Sequence, residues 1–259
     1  MYSLCVLVVA CCLVGVLNAS DPLTHLYTSF NETDSGLHHW LEYGEFYNHH
    51  LHKTRTLPSV KMLEIGVQSG GSSRVWNKYF AHADLDYTGV DVNENCVEYA
   101  LPPRIRIEIG SQLDQDFLRK MCKQYGPFNF IVDDGGHTTK MMVASFEVLW
   151  SPECLVDNAL YVIEDTHTMA QWIKSDTMYV GNHQNIFHYL ADILLEQVYY
   201  FGFRGAKIPM PERAKHMKSM SFADSIVAMH YRAQWRPLTD FHAGKFIPYN
   251  VNPYPQGVF

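Results

Sequence analysis

Hydrophobic and polar residues alternate along the middle of the chain in a pattern that predicts strands and helices in turn. Short apolar runs end at Gly or Asp, and longer stretches with apolar residues at helical spacing follow them. The predicted strands cover 60–66, 87–93, 104–110, 128–136 and 159–167, and the predicted helices cover 34–52, 72–82, 94–101, 113–125, 138–150 and 184–199. Residues 217–232 predict a hairpin that turns near Ala223 and Asp224.

Repeated strand–helix units indicate an α/β fold with a mostly parallel sheet and helices on both faces. In such sheets, ligands bind beyond the carboxyl ends of the strands. All five predicted strands end in polar side chains, which are Glu64, Asp91, Ser111 with Gln112, Asp133 with Asp134, and Glu164 with Asp165. We therefore expect these side chains to stand on the rim of one pocket.

The composition is typical of a globular protein with one sizeable domain. The chain has 259 residues, of which 47% are hydrophobic and 18% are charged. This is enough apolar material for one sizeable domain, and it argues against extensive disorder. The net charge of -7 and the lack of a Lys/Arg block argue against nucleic acid as a substrate.

The N-terminus predicts entry into the secretory pathway. The apolar run from Leu4 to Leu17 is shorter than the roughly 20 residues that span a bilayer, and it suits a signal peptide over residues 1–19. An uncleaved signal anchor and a start-site artefact are the alternatives. Cleavage would leave no stable membrane span, and it would place the protein in the endoplasmic reticulum or Golgi lumen or outside the cell.

Two further features bear on this compartment. Asn31, in "NET", is a glycosylation acceptor if the chain is secreted, which makes the protein a predicted glycoprotein. Cys96, Cys122 and Cys154 remain after cleavage, so at most one internal disulfide can form and one thiol is left over.

The stretch "LEIGVQSGGSS" predicts a tight turn between a strand and a helix. Gly66 and Gly70 let the backbone approach a ligand, whereas Gln68 stands where a dinucleotide fingerprint requires glycine. The pattern suits a ligand without a pyrophosphate, whose amine meets Glu64 and whose carboxylate meets backbone N–H groups. A plain glycine-rich turn is the alternative.

The next two strand ends offer polar groups for a nucleoside. Asp91 is placed to accept both hydroxyls of a ribose, although it could instead cap the helix near Glu94, with Asn93 as a competitor. Ser111 and Gln112 can reach an adenine edge. Capping of the following helix explains Ser111 or Asp114 nearly as well.

The order of these motifs, followed by "VDDGGH" and "YVIEDTHT", resembles the class I S-adenosylmethionine-dependent methyltransferases. It is most similar to the metal-dependent sugar O-methyltransferases of macrolide biosynthesis, of the mycinamicin and tylosin type. The resemblance covers roughly residues 33–232. It implies a Rossmann-like fold with a mostly parallel seven-stranded sheet, helices on both faces and an antiparallel C-terminal hairpin.

The resemblance also implies roles for individual residues. Asp134, Glu164 and Asp165 would hold a divalent metal, usually Mg²⁺, His137 would act as general base, and Asp133 would face the methyl donor. The chain departs from the pattern at Ser35, at Gly136, and over residues 167–185, where the family has a glycine-rich lid that shapes the acceptor pocket.

Elementary chemistry agrees with a metal site. Three carboxylates at neighbouring strand ends would repel each other without a cation, and oxygen ligands suit Mg²⁺ or Mn²⁺. A hydroxyl bound to that cation has a lowered pKa, so His137 could remove its proton near neutral pH. The alternative treats the acids as turn and cap residues and His137 as a solvated loop residue.

Several other residues receive structural interpretations. Histidines crowd the N-terminal segment without completing a ligand set, so a structural or surface role is favoured for His38, His39, His49, His50 and His52. His167 lies two residues after Asp165 and is a candidate for the acceptor site. The Met-rich stretches favour core packing.

The predicted activity is a metal-dependent transfer of a methyl group from S-adenosylmethionine to a hydroxyl of a sugar or glycoside. Methylation of a catechol or other vicinal diol, and a secreted binding protein without catalysis, are the alternatives. The predicted divisions are 1–19, a helical segment at 20–58, the methyltransferase domain at 59–232 and a tail at 233–259. The tail could wrap the domain, cover the pocket or mediate self-association into a homo-oligomer.

Overall fold

The computed structural model describes most of the chain between its two terminal segments. The described residues are Leu23, 36–168, His183, 185–202, 210–235, 239–242 and 245–248. The predicted signal peptide, Asn31 and most of the predicted lid lie outside these residues.

Seven strands form one mixed sheet. Their order is β3-β2-β1-β4-β5-β7-β6, with β1 to β5 parallel and β7 antiparallel to both of its neighbours. The strands are β1 (Ser59–Ile65), β2 (Asp84–Asp91), β3 (Ile105–Ile109), β4 (Phe128–Asp133), β5 (Leu155–Ile163), β6 (Met217–Ala223) and β7 (Ile226–Tyr231). The predicted sheet and C-terminal hairpin are confirmed. The order of the strands reverses between β1 and β4, since β2 and β3 lie to one side of β1 and β4 and β5 to the other, and ligands bind at this position in folds of this type.

Helices connect the strands and precede the first one. The α-helices among the described residues are α1 (Glu42–Leu51), α2 (Gly71–Tyr79), α3 (Gln115–Tyr125), α4 (Thr139–Leu149), α5 (Ile186–Gly202) and α6 (Glu212–His216). Side-chain caps set two of the starts, because Asp114 accepts from the Phe117 N–H and Thr138 accepts from the Met141 N–H. The short helix predicted over 94–101 is a 3₁₀ helix over Glu94–Tyr99.

The sheet has an apolar core on each face. One core packs α3, α4, α5 and α6 against the sheet through side chains such as Leu118, Phe146 and Tyr189. The other packs α1 and α2 through Tyr47 and Trp76, whose rings meet edge to face at 5.1 Å. Helices therefore cover both faces, as the alternating pattern predicts.

The first helix is shorter than predicted. The sequence pattern predicts a helix over 34–52, whereas α1 begins at Glu42 and residues 36–40 are irregular. Helical spacing continues through His38 and Trp40, but tertiary contacts of His39, described below, hold this stretch in another conformation.

The described cysteines form one disulfide and leave one free thiol, as the sequence predicts. Cys122, near the end of α3, forms a disulfide with Cys154, just before β5, and Cys96 is a buried free thiol. The disulfide joins two elements of the same core across 32 positions of sequence.

Part of the predicted tail forms a separate hairpin. Its strands are β8 (Thr239–His242) and β9 (Lys245–Pro248), which pair antiparallel. No helix in the described part of the chain combines the length and hydropathy of a membrane span.

Candidate active site

A pocket of about 440 Å³ opens at the carboxyl ends of β1 to β5. Its volume lies in the range of small-ligand sites. Each of the five strand ends contributes lining residues, which include Gly66, Gln68, Asp91, Asn93, Ser111, Gln112, Asp134, Gly136, His137 and Asp165. The structure therefore brings together seven of the predicted site residues, namely Gly66, Asp91, Ser111, Gln112, Asp134, His137 and Asp165, and it places Glu64, Gly70, Asp133 and Glu164 behind the lining.

The glycine turn after β1 brings two strand ends into contact. Gly66 has a φ of +95°, and a Cβ on it would lie 2.1 Å from the carbonyl oxygen of Asp134. Gly70 has a φ of +71° and begins α2, where a Cβ would collide with the ring of Tyr99. Gly66 thus keeps the floor of the pocket open, whereas Gly70 serves the packing of the turn.

Asp91 organises the turn beside it. Its Oδ2 accepts from the N–H groups of Val67 and Gln68 at 2.9 and 3.0 Å, and its Oδ1 accepts from the Asn93 N–H at 2.8 Å. Burial raises the pKa of Asp91, but these backbone donors outweigh it and leave the pKa below its ordinary value. Asn93 caps the 3₁₀ helix, so Asp91 does not have the capping role considered above.

Gln112 ties the loop after β3 to the loop after β4. Its Nε2 donates to Asp133 at 3.1 Å, and its Oε1 accepts from the Gly136 N–H at 2.7 Å. Ser111 lies on the pocket wall, and its hydroxyl accepts from the Leu113 N–H at 3.2 Å. Both side chains therefore also organise their own loops.

Two predicted donor-binding acids are enclosed in the protein. Glu64 accepts from Ser72 at 2.8 Å, from Trp76 at 3.1 Å and from the Tyr87 hydroxyl, and burial raises its pKa. Asp133 accepts from Ser145 and Gln112, and burial raises its pKa to about 6. Both carboxylates are buried behind the residues that line the pocket, so neither is exposed to a ligand in this conformation.

The predicted metal acids converge next to the pocket. Ligand atoms of Asp134, His137 and Asp165 lie within 4.8 Å of one another, and so do those of His39, Asp134 and Glu164. Asp134 belongs to both groups. Burial, and then the negative charge of Glu164, hold the pKa of Asp134 well above its ordinary range. This crowding of acids is the arrangement that a divalent cation relieves.

The N-terminal segment supplies partners for these acids. Tyr47 donates to Oε1 of Glu164, His39 Nδ1 lies 3.0 Å from Oε2 of Glu164, and Tyr43 donates to Oδ1 of Asp165 at 2.9 Å. Burial lowers the pKa of His39, but Glu164 raises it more, to about 10.

Sequence reasoning missed these three residues. The structure excludes the surface position considered for His39, whose side chain is only 5% exposed, and agrees with a structural role through its contact with Glu164, a predicted metal acid. A signal was present, since positions 39, 43 and 47 recur every four residues and all carry side chains that can donate a hydrogen bond.

His137 lines the pocket beside two of the metal acids. Its Nε2 is 3.9 Å from Oδ1 of Asp134 and 4.0 Å from Oδ2 of Asp165. Burial lowers its pKa despite the neighbouring carboxylates, so the imidazole is neutral near pH 7. Its backbone has a φ of +55°, and the Thr168 hydroxyl donates to its carbonyl oxygen at 3.1 Å. The loop after β5 thus helps to hold this strained residue in place.

His167 lies at the rim of the site. Its ring stacks on Trp40 at 4.8 Å, and its Nδ1 lies 2.7 Å from the Ser225 hydroxyl oxygen. It joins the N-terminal segment to the turn between β6 and β7, outside the pocket lining.

Comparisons with known proteins agree with the geometry. No protein-family model matches the chain. The structure of MycE methyltransferase from the mycinamycin biosynthetic pathway, solved with Mg and SAH, superposes with a TM-score of 0.68 at 23% identity, covering 82% of this chain and 55% of that one. The chain has the class I methyltransferase fold.

Several curated O-methyltransferases are similar to a large part of the sequence. Demethylmacrocin O-methyltransferase of Streptomyces fradiae is 33% identical over 167 residues, which are 62% of this chain and 40% of that protein. Mycinamicin VI 2''-O-methyltransferase of Micromonospora griseorubida is 32% identical over 167 residues, 62% of this chain and 39% of that protein. The predicted resemblance to macrolide sugar O-methyltransferases is confirmed, although the chain spans about two fifths of these relatives' length.

Proposed function

We propose that the protein is a metal-dependent O-methyltransferase that moves a methyl group from S-adenosylmethionine to a hydroxyl of a sugar or glycoside. One observation carries the proposal. A neutral imidazole, His137, lines a nucleoside-sized pocket and lies within 4.0 Å of two crowded acids, Asp134 and Asp165. Relatives with sugar O-methyltransferase names and a structural neighbour solved with Mg and SAH support it.

The pocket suits the methyl donor. The turn at Gly66 admits a ligand close to the backbone, and ionised Asp91 on the wall can accept from ribose hydroxyls. Ser111 and Gln112 line the opposite part, where an adenine edge would lie. Glu64 is buried behind the turn, so it stabilises the pocket wall and does not reach the donor amine as predicted.

The acids fit a divalent cation of the Mg²⁺ or Mn²⁺ type. Asp134 offers a carboxylate oxygen together with Glu164 in one group of possible ligands and together with Asp165 in the other. Burial, and then the charge of Glu164, raise the pKa of Asp134, and a bound cation would offset both effects. When bound, the cation would lower the pKa of an acceptor hydroxyl.

The remaining chemistry belongs to the protein and its substrates. His137 would accept the hydroxyl proton at Nε2, while the pocket holds the donor and acceptor in line. The acceptor oxygen would form a bond to the methyl carbon as the carbon–sulfur bond breaks, leaving S-adenosylhomocysteine.

Methyl transfer from radiolabelled S-adenosylmethionine to a panel of simple glycosides and catechols tests this proposal. We expect glycosides to be methylated in the presence of Mg²⁺ or Mn²⁺ and not in EDTA. His137→Ala should lower turnover at least about 100-fold while leaving donor binding intact, and His49→Ala, on the exposed side of α1, should leave turnover unchanged. Full activity in His137→Ala would refute the base assignment, and methylation of catechols alone would change the substrate class.

We also propose that the protein matures in the secretory pathway. The Cys122–Cys154 disulfide supports this, since disulfides persist in oxidising compartments. Expression in eukaryotic cells should give a secreted or lumenal product whose mobility shifts on glycosidase treatment and whose Asn31→Gln variant does not shift. A reduced, unglycosylated product in the cytosol would contradict the proposal.

The homo-oligomer remains a prediction. Light scattering after size exclusion tests it, and a mass equal to that of one mature chain, whose 259 residues weigh 29.8 kDa before processing, would identify a monomer.

A further inference from the structure

A second imidazole, besides His137, lies among the metal acids. His39 Nδ1 is 3.0 Å from Oε2 of Glu164, and its ligand atom lies within 4.8 Å of those of both Glu164 and Asp134. The side chains of His39 and Glu164 are 5% and 2% exposed, whereas His137 is 26% exposed and lines the pocket. Asp134 therefore has a buried imidazole, that of His39, on one side and a partly exposed one, that of His137, on the other.

We propose that His39 is a direct nitrogen ligand of the catalytic cation, together with Asp134 and Glu164, and that the site consequently prefers Mn²⁺ to Mg²⁺. This inference rests on the proposed function, because it concerns the cation of the same site. It differs from the sequence-based ligand set, which consists of carboxylates alone.

The distances fit shared coordination. Two neighbouring ligands on an octahedral ion with bonds of about 2.1 Å lie about 3.0 Å apart, and opposite ligands lie about 4.2 Å apart. The observed separation of His39 Nδ1 and Glu164 Oε2 is 3.0 Å, and the full group of three ligand atoms falls within 4.8 Å. The His39–Glu164 separation thus equals that of neighbouring ligands on one ion, and Asp134 lies close enough to complete the group after a small movement.

The surroundings of Glu164 fix its carboxylate independently of His39. Tyr47 donates to the other oxygen, Oε1, and the Glu164 N–H donates to the carbonyl oxygen of Asp133 at 3.0 Å. His39 is therefore not required to orient this acid, and a bound cation would replace the contact between His39 Nδ1 and Glu164, with release of the imidazole proton.

The two imidazoles have different roles, one as general base and one as cation ligand. A general base must keep its nitrogen lone pair for the acceptor proton, so it cannot also be a ligand of the cation. His137 faces the pocket where the acceptor enters, and His39 is enclosed on the far side of Asp134. His39, the buried imidazole, can therefore bind the cation while His137 remains free to act as the base.

A nitrogen ligand changes which cation binds best. Mg²⁺ favours oxygen ligands in a near-ideal octahedron, whereas imidazole favours transition-metal ions. Mn²⁺ accepts both carboxylate and imidazole ligands, so the mixed set of one imidazole and two carboxylates selects it over Mg²⁺.

Pulsed electron paramagnetic resonance of the Mn²⁺-loaded protein tests the assignment without an activity assay. We expect a ¹⁴N coupling typical of a bound imidazole, its replacement by ¹⁵N coupling in protein labelled with ¹⁵N-histidine, and its loss in His39→Gln. His49→Gln, on the exposed side of α1, and His137→Gln should both retain it. His39→Gln should weaken Mn²⁺ binding at least about tenfold and reduce the preference over Mg²⁺.

The outcomes are distinct. Mn²⁺ binding without a nitrogen coupling, or with a coupling that survives in His39→Gln, overturns the inference and leaves the proposed function standing. An absence of Mn²⁺ and Mg²⁺ binding overturns both. If His39→Gln does not fold, the labelled unaltered protein and His137→Gln still decide, because a histidine coupling that persists in His137→Gln supports His39 and its loss there overturns the assignment.

Discussion

Gly66 lies where the ends of β1 and β4 come closest together. Its φ of +95° strains any other residue, and a Cβ would lie 2.1 Å from a backbone oxygen of Asp134 that cannot easily move. Gly136 is a useful contrast, because a Cβ there would instead meet the Met141 sulfur, at the flexible end of a side chain.

We therefore expect Gly66→Ala to lower the free energy of unfolding by about 3 kcal/mol and Gly136→Ala by less than about 1 kcal/mol. Thermal melts of the ligand-free variants measure the difference, which corresponds to a fall of roughly 6–12 °C for Gly66→Ala. Equal losses in the two variants would show that the close approach to Asp134 does not constrain the turn.

Site residues that follow a strand were predictable, because sheet topology places strand ends together. The sequence indicates Asp91, Asp134, His137 and Asp165 in this way, and all four line the pocket. Glu64 differs, since its position at a strand end does not reveal that Tyr87, from the next strand, would cover its carboxylate. The four-residue spacing of His39, Tyr43 and Tyr47 is a local signal, but it does not identify their partners, because Glu164 is distant in sequence.

The docking of α1 depends on a pair of neutral histidines. His50 Nδ1 lies 3.1 Å from Nε2 of His230 on β7. Burial, and then the neighbouring His230, lower the pKa of His50 from 6.5 to about 4. Burial also lowers the pKa of His230, as do the nearby charged or titratable groups Lys218, Lys53, His49 and His52.

This pair predicts a pH-dependent stability. Between pH 6.5 and 4 the unfolded chain binds a proton at His50 that the folded chain does not, so the free energy of unfolding falls as pH decreases through this window. The contribution is about 1–3 kcal/mol. Urea titrations at pH 7 and pH 5 should show a smaller pH-dependent loss in His50→Gln than in the unaltered protein. The same loss in His50→Gln as in the exposed control His49→Gln would contradict the assignment.

The Cys122–Cys154 disulfide joins the end of α3 to the start of β5. It closes a loop of 32 positions, and such a link stabilises a fold by about 2–4 kcal/mol, mainly by restricting the unfolded chain. Cys122→Ser with Cys154→Ser should lower the urea midpoint accordingly and should no longer respond to reductant, whereas Cys96→Ser should lose stability in reductant as the unaltered protein does. Unchanged stability of the double variant under oxidising conditions would mean that the disulfide is absent in solution.

Strand positions were predicted to within a few residues, because each buried strand is a short apolar run between turn signals. Helix ends were less accurate. The predicted helix over 34–52 begins at Glu42 instead, because His39 is held at Glu164 and Trp40 stacks on His167, both through contacts with distant strand ends.

The order of the strands across the sheet is a property of the whole chain. Local periodicity indicates a parallel sheet, but the neighbours of each strand are set by long-range packing, so the strand order was not predicted from the sequence. That order puts the ends of β1 and β4 side by side, and so places the glycine turn next to the metal acids.

The central claim is that one pocket holds S-adenosylmethionine beside a divalent cation. Thermal melting of the purified protein tests it most directly, with the donor alone, with Mg²⁺ or Mn²⁺ alone, with both, and with EDTA. Donor at 100 times its Kd should add about 2.7 kcal/mol, a shift of roughly 5–10 °C, and the cation should add a further shift that EDTA removes. Asp91→Ala should lose the donor shift and Asp134→Asn the cation shift. No shift with either ligand would contradict the account and leave a methyltransferase fold without the predicted chemistry.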